Sequence, residues 1–238
     1  GTTNINRQLV EIVDQLEKGT EISILDAGCG VGDTLYSLLT SKRIRSGEPF
    51  TYYGITVSPA ELQFAKLLAK YHGLAEKPGI GFALHNFEDG LPPVKFSVVV
   101  AVESLSYATD FIGTTGILLS AVKPGGVLIV VADVMIPPFT SLDLTKRLLV
   151  KEVWNNAFSS AGCAKVVTMD EGIDSEIVMR TLEHAHNRYW PFGELRDFWH
   201  DRKAWMANMK RRKEAFERAE LSTFLFICIK ARKGAEQP

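Results

Sequence analysis

The sequence has little cysteine and almost no net charge. Three cysteines, Cys29, Cys163 and Cys228, are scattered over 238 residues without the C-x-x-C spacing of zinc sites or redox pairs. The lack of such spacing argues against a metal centre and a disulfide framework, so we expect no metal and three reduced thiols. A net charge of −1 provides no overall attraction for nucleic acid or for an anionic membrane. We therefore expect neither nucleic acid nor a membrane as a partner.

Long apolar runs and leader patterns are also lacking. No stretch is apolar enough over the length needed to cross a bilayer, and the first residues show no charged and apolar leader. The hydrophobic content of 46% nevertheless supports a sizeable core, and 238 residues fit one α/β domain with a modest insertion. We expect a single cytoplasmic domain over residues 1–238.

A glycine-rich turn follows the first apolar segment. Residues 22–32, ISILDAGCGVG, run from an apolar stretch through Asp26 to Gly28, Gly30 and Gly32. The pattern predicts a buried strand, a tight turn and a helix that starts near residue 33. Glycine lets a ligand lie against bare backbone, and a helix start offers unpaired N–H groups. We therefore predict a ligand site at the carboxyl end of this strand.

The rest of the chain alternates between strand and helix patterns. After the first strand we predict strands at residues 50–56, 80–84, 96–102, 127–131, 164–168 and 221–231. Helices are predicted at residues 4–18, 33–46, 58–73, 110–122 and 144–161. This alternation is typical of an open, mostly parallel sheet with helices on both faces. Side chains that directly follow the parallel strands should therefore meet at one edge.

Several segments resemble class I S-adenosylmethionine (SAM)-dependent methyltransferases. Residues 26–32 match motif I of that family, D-x-G-x-G-x-G, whereas the nicotinamide turn G-x-G-x-x-G would need glycine where Asp33 stands. The E-S-x-x-Y segment at 103–107 and K-P-G-G at 123–126 are similar to further family motifs. The resemblance covers about residues 22–134. It implies a Rossmann-like, doubly wound, seven-stranded α/β sheet in the order 3-2-1-4-5-7-6 with its last strand antiparallel.

The resemblance also implies SAM as the cofactor, S-adenosylhomocysteine (SAH) as its product, and a set of contacts. Residues 54–62, GITVSPAEL, are similar to the cyclopropane-synthase-like and sterol-type subgroup, with Glu61 where Gln is usual. The usual acidic residue at the end of strand two is missing, so the ribose role passes to Thr56 and Glu61. The alternative is that Glu61 only occupies a first helical turn that favours carboxylates. The cofactor residues expected are Asp26, Gly28, Cys29, Gly30, Gly32, Thr56, Ser58, Glu61, Asn86, Phe87 and Val102.

Two of these contacts concern the adenine ring. Asn86 and Phe87 follow the third strand, where family members often carry Asp and an apolar residue. Phe87 could stack on the ring, and Asn86 could bond its edge through either amide atom. Asp is the commoner residue at the first of these two positions.

Four polar residues are candidates for proton transfer. Glu103 is our first choice and Tyr107 the second, because the family places the E-S-x-x-Y loop beside the transferred methyl group. Asp133 follows the 127–131 strand, as does an Asp that contacts the amine in phosphoethanolamine-type enzymes. His184 is the fourth candidate. The structural alternatives are a tie to the N-terminal helix for Glu103 and a strand-end cap for Asp133.

Residues 169–220 are predicted to form a helical insertion. They are too many for a simple connection and hold an aromatic and basic cluster that includes His184, His186 and Tyr189. The family resemblance implies a substrate lid. The alternative is that the aromatic side chains pack in the core and that the 210–213 KRRK run is a solvated face.

The resemblance therefore predicts methyl transfer to a nitrogen, carbon or oxygen nucleophile of a small molecule. The subgroup motifs favour an amine or an isoprenoid-like carbon. Two alternatives stay open: a repurposed protein that binds SAM without transferring methyl, and a nucleotide-cofactor oxidoreductase on the same sheet. Asp33 in place of the third glycine counts against the oxidoreductase.

Overall fold

The computed structural model describes residues 2–16, 21–136, 149–170, 210–211 and 213–231. The strands are β1 Ile22–Ala27, β2 Phe50–Thr56, β3 Ile80–Leu84, β4 Phe96–Val102, β5 Val122–Met135, β6 Leu149–Val150, β7 Lys165–Asp170 and β8 Leu221–Ile229. The helices are α1 Thr2–Gln15, α2 Asp33–Leu38, α3 Lys42–Arg45, α4 Pro59–Tyr71, α5 Phe111–Ala121 and α6 Lys151–Ser160. Two 3₁₀ turns lie at Phe87–Asp89 and Leu105–Tyr107, and residues 210–211 and 213–217 are also helical.

The strands form one mixed sheet in the order β3-β2-β1-β4-β5-β8-β7. β1 pairs in parallel with β2 and β4, and β8 runs antiparallel to both β5 and β7. Because β7 and β8 are the sixth and seventh strands of the predicted pattern, the order 3-2-1-4-5-7-6 with an antiparallel last strand is confirmed. The two-residue strand β6, which pairs with the end of β5, was not predicted.

The core lies on both faces of this sheet. On one face α5 and α6 cover the strands, with Leu118, Trp154 and Phe158 buried against Val99 and Val130. On the other face, side chains of α1 and α2 lie in the same core cluster as alternate residues of β1 and β4. Central parallel strands that are buried on both faces need apolar side chains at nearly every position, which explains the continuous apolar run of β4.

Several predicted elements differ from the observed ones. The helix predicted at 144–161 is observed as α6 from Lys151 onwards, because residues 149–150 form strand β6. The helix expected at 33–46 is divided: α2 ends at Leu38, and Ser41 caps a second helix, α3, by accepting from the Ile44 N–H. The K-P-G-G segment was expected to precede a strand but interrupts one. The β4–β5 register jumps from Phe96 opposite Val122 to Val98 opposite Val127. Gly125 takes a φ of 79° within this irregularity.

The expectation of three reduced cysteines is wrong. Cys163 and Cys228 form a disulfide, with their Cα atoms 5.7 Å apart, whereas Cys29 is free and buried. The two residues are 65 positions apart in the chain and meet only because β7 and β8 pair antiparallel. No local spacing in the sequence indicates such a pair.

Most of the predicted lid, including His184, His186 and Tyr189, lies outside the described residues. At its start, β7 continues to Asp170, which is two residues beyond the predicted strand end. In the portions of the chain that the structure describes, no helix combines the length and apolarity needed to cross a membrane.

Candidate active site

A cavity of about 510 Å³ opens at the carboxyl ends of β1, β2 and β4. This edge is where open α/β sheets bind ligands, and the volume is in the range of small-molecule pockets. Of the predicted residues, the cavity is lined by Gly28, Gly30, Thr56, Glu61, Asn86, Phe87, Val102, Glu103 and Tyr107. Ile55, Val57, His85, Glu88 and Ser104 also line it and were not predicted.

The glycine turn forms one wall of the cavity, and its two lining glycines have different roles. Gly28 and Gly30 both have positive φ, 84° and 53°. A Cβ on Gly28 would lie 2.3 Å from the Cβ of Ser104, so Gly28 is required for packing against the next loop. A Cβ on Gly30 would meet nothing within 4 Å. Gly30 therefore presents bare backbone to open space, as a cradle for SAM requires.

Asp26 lies beneath this turn and does not line the cavity. Its side chain is 1% exposed and accepts a hydrogen bond of 2.6 Å from the Tyr52 hydroxyl. Burial raises the pKa of Asp26 to about 6, and hydrogen bonds from Tyr52 and Thr34 limit the rise. A direct cofactor contact by Asp26 stays a prediction. In the structure its carboxylate ties β1 to β2 directly below the turn.

Cys29 and Gly32 likewise face away from the cavity. The Cys29 thiol is buried near Gly54, whose missing side chain leaves room for it. Burial raises the pKa of this thiol, and the carboxylates of Asp26 and Glu61 add to the effect. Gly32 precedes α2 with a φ of 87°, and a Cβ there would lie 3.0 Å from the Phe82 ring. Both residues shape the turn from within.

The end of β2 and the start of α4 place a carboxylate in the cavity wall. Ser58 caps α4 by accepting from the Glu61 N–H at 3.3 Å, and Pro59 is the first helical residue, as predicted. The Thr56 hydroxyl donates to Glu61 Oε2 at 2.5 Å. The carboxylate of Glu61 is therefore folded back from the helix onto the end of the strand.

The turn after β3 forms the opposite wall. Asn86 Oδ1 accepts from the Glu88 N–H at 3.0 Å and so caps the 3₁₀ turn. Because Oδ1 is engaged there, the donor group Nδ2 is the part of the amide suited to a base edge. Phe87 is 8% exposed and packs in the same core cluster as Leu105. His85 Nε2 bonds to the Gly90 carbonyl at 2.6 Å, which closes this loop.

The loop after β4 carries Glu103 in a strained conformation. Glu103 has a φ of 50°, in the left-handed region that non-glycine residues rarely occupy. Its N–H donates to the Val131 carbonyl at 2.8 Å, and the Ser104 hydroxyl donates to the Ala27 carbonyl at 2.5 Å. Such strain persists where the surroundings fix it, and it is frequent at functional sites. Tyr107, 64% exposed, lies one 3₁₀ turn further along the loop.

The other two predicted catalytic residues are not in the cavity lining. Asp133 is buried in β5, opposite Thr223 of β8, and accepts a hydrogen bond of 2.7 Å from the Thr223 hydroxyl. It lies two residues beyond Val131, to whose carbonyl Glu103 is tied. His184 falls outside the described residues. The roles of Asp133 and His184 stay predictions.

The lining residues that were not predicted follow from the sheet itself. Ile55 and Val57 flank Thr56, His85 and Glu88 belong to the Asn86 loop, and Ser104 follows Glu103. Each of these five residues is next to a residue that the family resemblance implies as a site residue. Their position beside the strand ends could therefore have indicated that they line the cavity. The alternation of side chains alone does not say which neighbour faces the cavity.

Comparison with known proteins agrees with this geometry. The family model described as a methyltransferase domain matches residues 18–186. Norajmaline N-methyltransferase from Rauvolfia serpentina is 27% identical over 148 residues, which is 60% of this chain and 47% of that protein. The chain spans between a third and a half of the length of the curated relatives it matches.

Solved structures share the fold. Haemonchus contortus phosphoethanolamine N-methyltransferase 2 in complex with SAM superposes with a TM-score of 0.70 at 14% identity, covering 96% of this chain and 53% of that one. The cyclase SpnF superposes with a TM-score of 0.67 at 19% identity, covering 94% and 80%. The chain thus belongs to the methyltransferase domain family, whose class I members share this sheet and depend on SAM.

Proposed function

We propose that this protein transfers the methyl group of SAM to a nitrogen, carbon or oxygen nucleophile of a small molecule, an amine or isoprenoid-like carbon being favoured. One observation carries the proposal. The glycine turn and the Glu103–Tyr107 loop are walls of the same cavity. A cofactor held along the turn and a substrate held at the loop would therefore share one space, as a direct transfer between them requires.

The lining residues fit the parts of SAM. Bare backbone at Gly30 suits the methionine part, and the carboxylate of Glu61 can accept hydrogen bonds from two ribose hydroxyls. Phe87 offers a ring face to adenine, and the Asn86 amide a donor to its edge. Four further residues would hold the turn and the helix start in place without lining the cavity: Asp26, Cys29, Gly32 and Ser58. When bound, SAM supplies an electrophilic methyl group on a sulfonium sulfur.

The cavity lining as a whole is acidic and aromatic. Glu61, Glu88 and Glu103 are its acidic residues, and Phe87 and Tyr107 are its aromatic ones. These groups favour a cationic or neutral substrate over an anion. An amine must lose its proton before it attacks, and Glu103, which lines the cavity, would accept it. For a carbon nucleophile, the Tyr107 ring would stabilise the cation that forms.

A second function stays open. The structural neighbour SpnF, which is named as a cyclase, shares the fold at a TM-score of 0.67. A fold of this kind can therefore carry a reaction other than the one for which the family is named. A chain that binds SAM without transferring methyl is the corresponding alternative here.

An assay with tritium-labelled methyl-SAM tests the proposal. Purified protein is incubated with panels of amines, phenols and isoprenoids, and label in the organic product is counted. We expect transfer to at least one amine or isoprenoid. Glu103→Gln should then lower kcat by roughly 10²- to 10⁴-fold without weakening SAH binding. The control Asp89→Asn changes an exposed carboxylate outside the cavity lining and should be fully active.

Two results would contradict the proposal. Tight SAH binding with no label transferred to any member of the panels would favour the binding-only alternative. Unchanged kcat in Glu103→Gln, with an active wild type, would remove Glu103 from the proton-transfer role and leave Tyr107, Asp133 and His184 as candidates.

A further inference from the structure

Glu88 joins the two walls of the cavity. It lies in the 3₁₀ turn Phe87–Asp89, directly after the residues expected to hold adenine. Its Oε1 accepts from the backbone N–H groups of Thr109 and Asp110, at 2.7 and 3.1 Å. These two amides stand immediately before α5, at the end of the loop that carries Glu103 and Tyr107. One carboxylate therefore bridges the turn after β3 and the loop after β4.

Two electrostatic effects favour the contact. A carboxylate that accepts two amide N–H groups makes charge-assisted hydrogen bonds, which are about twice as strong as neutral ones. The amides lie at the N-terminus of an eleven-residue helix, where negative charge is favoured. Asp110 caps the same helix by accepting from the Gly113 N–H, so the two carboxylates serve different donors.

The loop is also held near its start, by two hydrogen bonds and by the buried side chain of Leu105. The Glu103 N–H is bonded to the Val131 carbonyl, and the Ser104 hydroxyl to the Ala27 carbonyl. These ties fix where the loop leaves the sheet. The distal end, from Tyr107 to Asp110, is tied through Glu88 to the Asn86–Phe87 turn. Movement of that turn would therefore be passed to Tyr107 and to the strained Glu103 backbone.

We propose that Glu88 is a positioning residue that couples the adenine side of the cavity to its substrate side. A ligand bound against Asn86 and Phe87 reduces the motion of the 3₁₀ turn. Through the hydrogen bonds of Glu88, it also reduces the motion of the loop that carries Glu103 and Tyr107. The coupling rests on the proposed function, because it assumes that SAM or SAH binds against Asn86 and Phe87. The contact between Glu88 and the two amides does not depend on that assumption.

Amide hydrogen exchange measured by mass spectrometry tests the inference on the full chain. In the ligand-free protein, Glu88→Ala should speed exchange in a peptide covering residues 104–112 by at least about tenfold, since two hydrogen bonds to a charged group are lost. With saturating SAH, the wild type should gain protection in both residues 85–90 and residues 104–112. In Glu88→Ala, only residues 85–90 should gain protection.

Two further variants make the test specific. Asp89→Ala removes the neighbouring exposed carboxylate and should exchange as the wild type does. Glu88→Gln keeps a neutral acceptor, so its exchange over residues 104–112 should lie between that of the wild type and that of Glu88→Ala. If Glu88→Ala loses cooperative unfolding, the Gln variant alone carries the comparison, and wild-type exchange in it would overturn the inference.

The failures of the two proposals are distinguishable. Unchanged ligand-free exchange in Glu88→Ala, or equal SAH-induced protection of both segments in that variant and the wild type, would overturn the role of Glu88. A wild type that does not bind SAH would overturn the proposed function, while the ligand-free comparison would still decide whether Glu88 holds the loop.

Discussion

The carboxylates of the two cavity walls differ in burial: one is buried beneath its wall and the other lines the cavity. Under the glycine turn, Asp26 is buried and bonded to Tyr52, and its side chain contributes to packing between strands. On the loop after β4, Glu103 lines the cavity from a left-handed backbone. Burial of a carboxylate raises the free energy of its ionised form, whereas exposure on a strained loop keeps it accessible. The first wall therefore provides shape, and the second presents the carboxylate for which we propose proton transfer.

The largest effect expected from this comparison is on the turn itself. Gly28→Ala should lower the free energy of unfolding by roughly 3–5 kcal/mol, because the new Cβ meets Ser104 and the residue has a positive φ. Urea denaturation measures the change. Gly116→Ala is the matched control: it lies in α5 with nothing near its Cβ, and should stabilise by about 1 kcal/mol. Equal effects of the two substitutions would contradict the packing role of Gly28.

The pH dependence of stability tests the burial of Asp26. Its pKa of about 6 in the fold lies above the usual value of 3.8, so the fold binds the proton more tightly than the unfolded chain does. Stability should therefore fall as pH rises from about 4 to above 6, by on the order of 3 kcal/mol in total. Asp26→Asn keeps an acceptor for Tyr52 and should not show this loss.

The measurement is the difference in unfolding free energy between Asp26→Asn and the wild type, taken at several pH values. Asp26 raises the pKa of Cys29 and of Tyr52, but both groups titrate above this pH range, so the contributions of all other groups cancel. We expect the difference to move in favour of the Asn variant between pH 4 and pH 7. A difference that does not change with pH would show that Asp26 titrates as an exposed carboxylate.

The strain at Glu103 should be visible as a smaller stability effect. Glu103→Gly should be more stable than Glu103→Ala by about 1 kcal/mol, because glycine accepts a φ of 50° without a Cβ clash. Ala219, with a φ of 56°, offers the control: Ala219→Gly should stabilise by a similar amount, away from the cavity. If Glu103→Gly is the less stable of its pair, the loop is not strained in solution.

The smallest effect on the site is expected from the disulfide. Cys228 pairs in the sheet with Leu128, towards the end of β5 that is remote from the Glu103 loop. Reduction of the Cys163–Cys228 bond should change the Kd for SAH by less than about twofold, since no cavity-lining residue is moved. Thiol titration of the denatured chain should find one free thiol before reduction and three after it. A larger change in Kd would mean that the two edges of the sheet are coupled.

The sequence was most informative where one local pattern determines one local structure. The apolar run of β4, the Ser58–Pro59 helix start and the glycine turn follow from side-chain burial, capping and backbone freedom, which act over a few residues. The order of the strands came from the family resemblance, since nothing in a strand pattern states its neighbours. The positions of Thr56, Glu61, Asn86 and Phe87 at one cavity came from the same source.

What the sequence could not show depends on distant partners. The Tyr52–Asp26 bond joins residues 26 positions apart, and the disulfide joins residues 65 apart. The bridge from Glu88 to Thr109 and Asp110 likewise appears only once β3 and β4 are placed in the sheet. The left-handed φ of Glu103 has no signal in a sequence, because a position that requires it usually carries glycine.

The proposed cofactor site depends above all on bare backbone at Gly30, and calorimetric titration with SAH measures that contact. Gly30→Ala and Gly47→Ala both place a Cβ on a positive-φ glycine with open space around it, but only Gly30 lines the cavity. We predict that the wild type and Gly47→Ala bind SAH equally, and that Gly30→Ala binds it at least about tenfold more weakly. Equal binding by all three proteins, or wild-type binding of NAD without a response to SAH, would contradict the account.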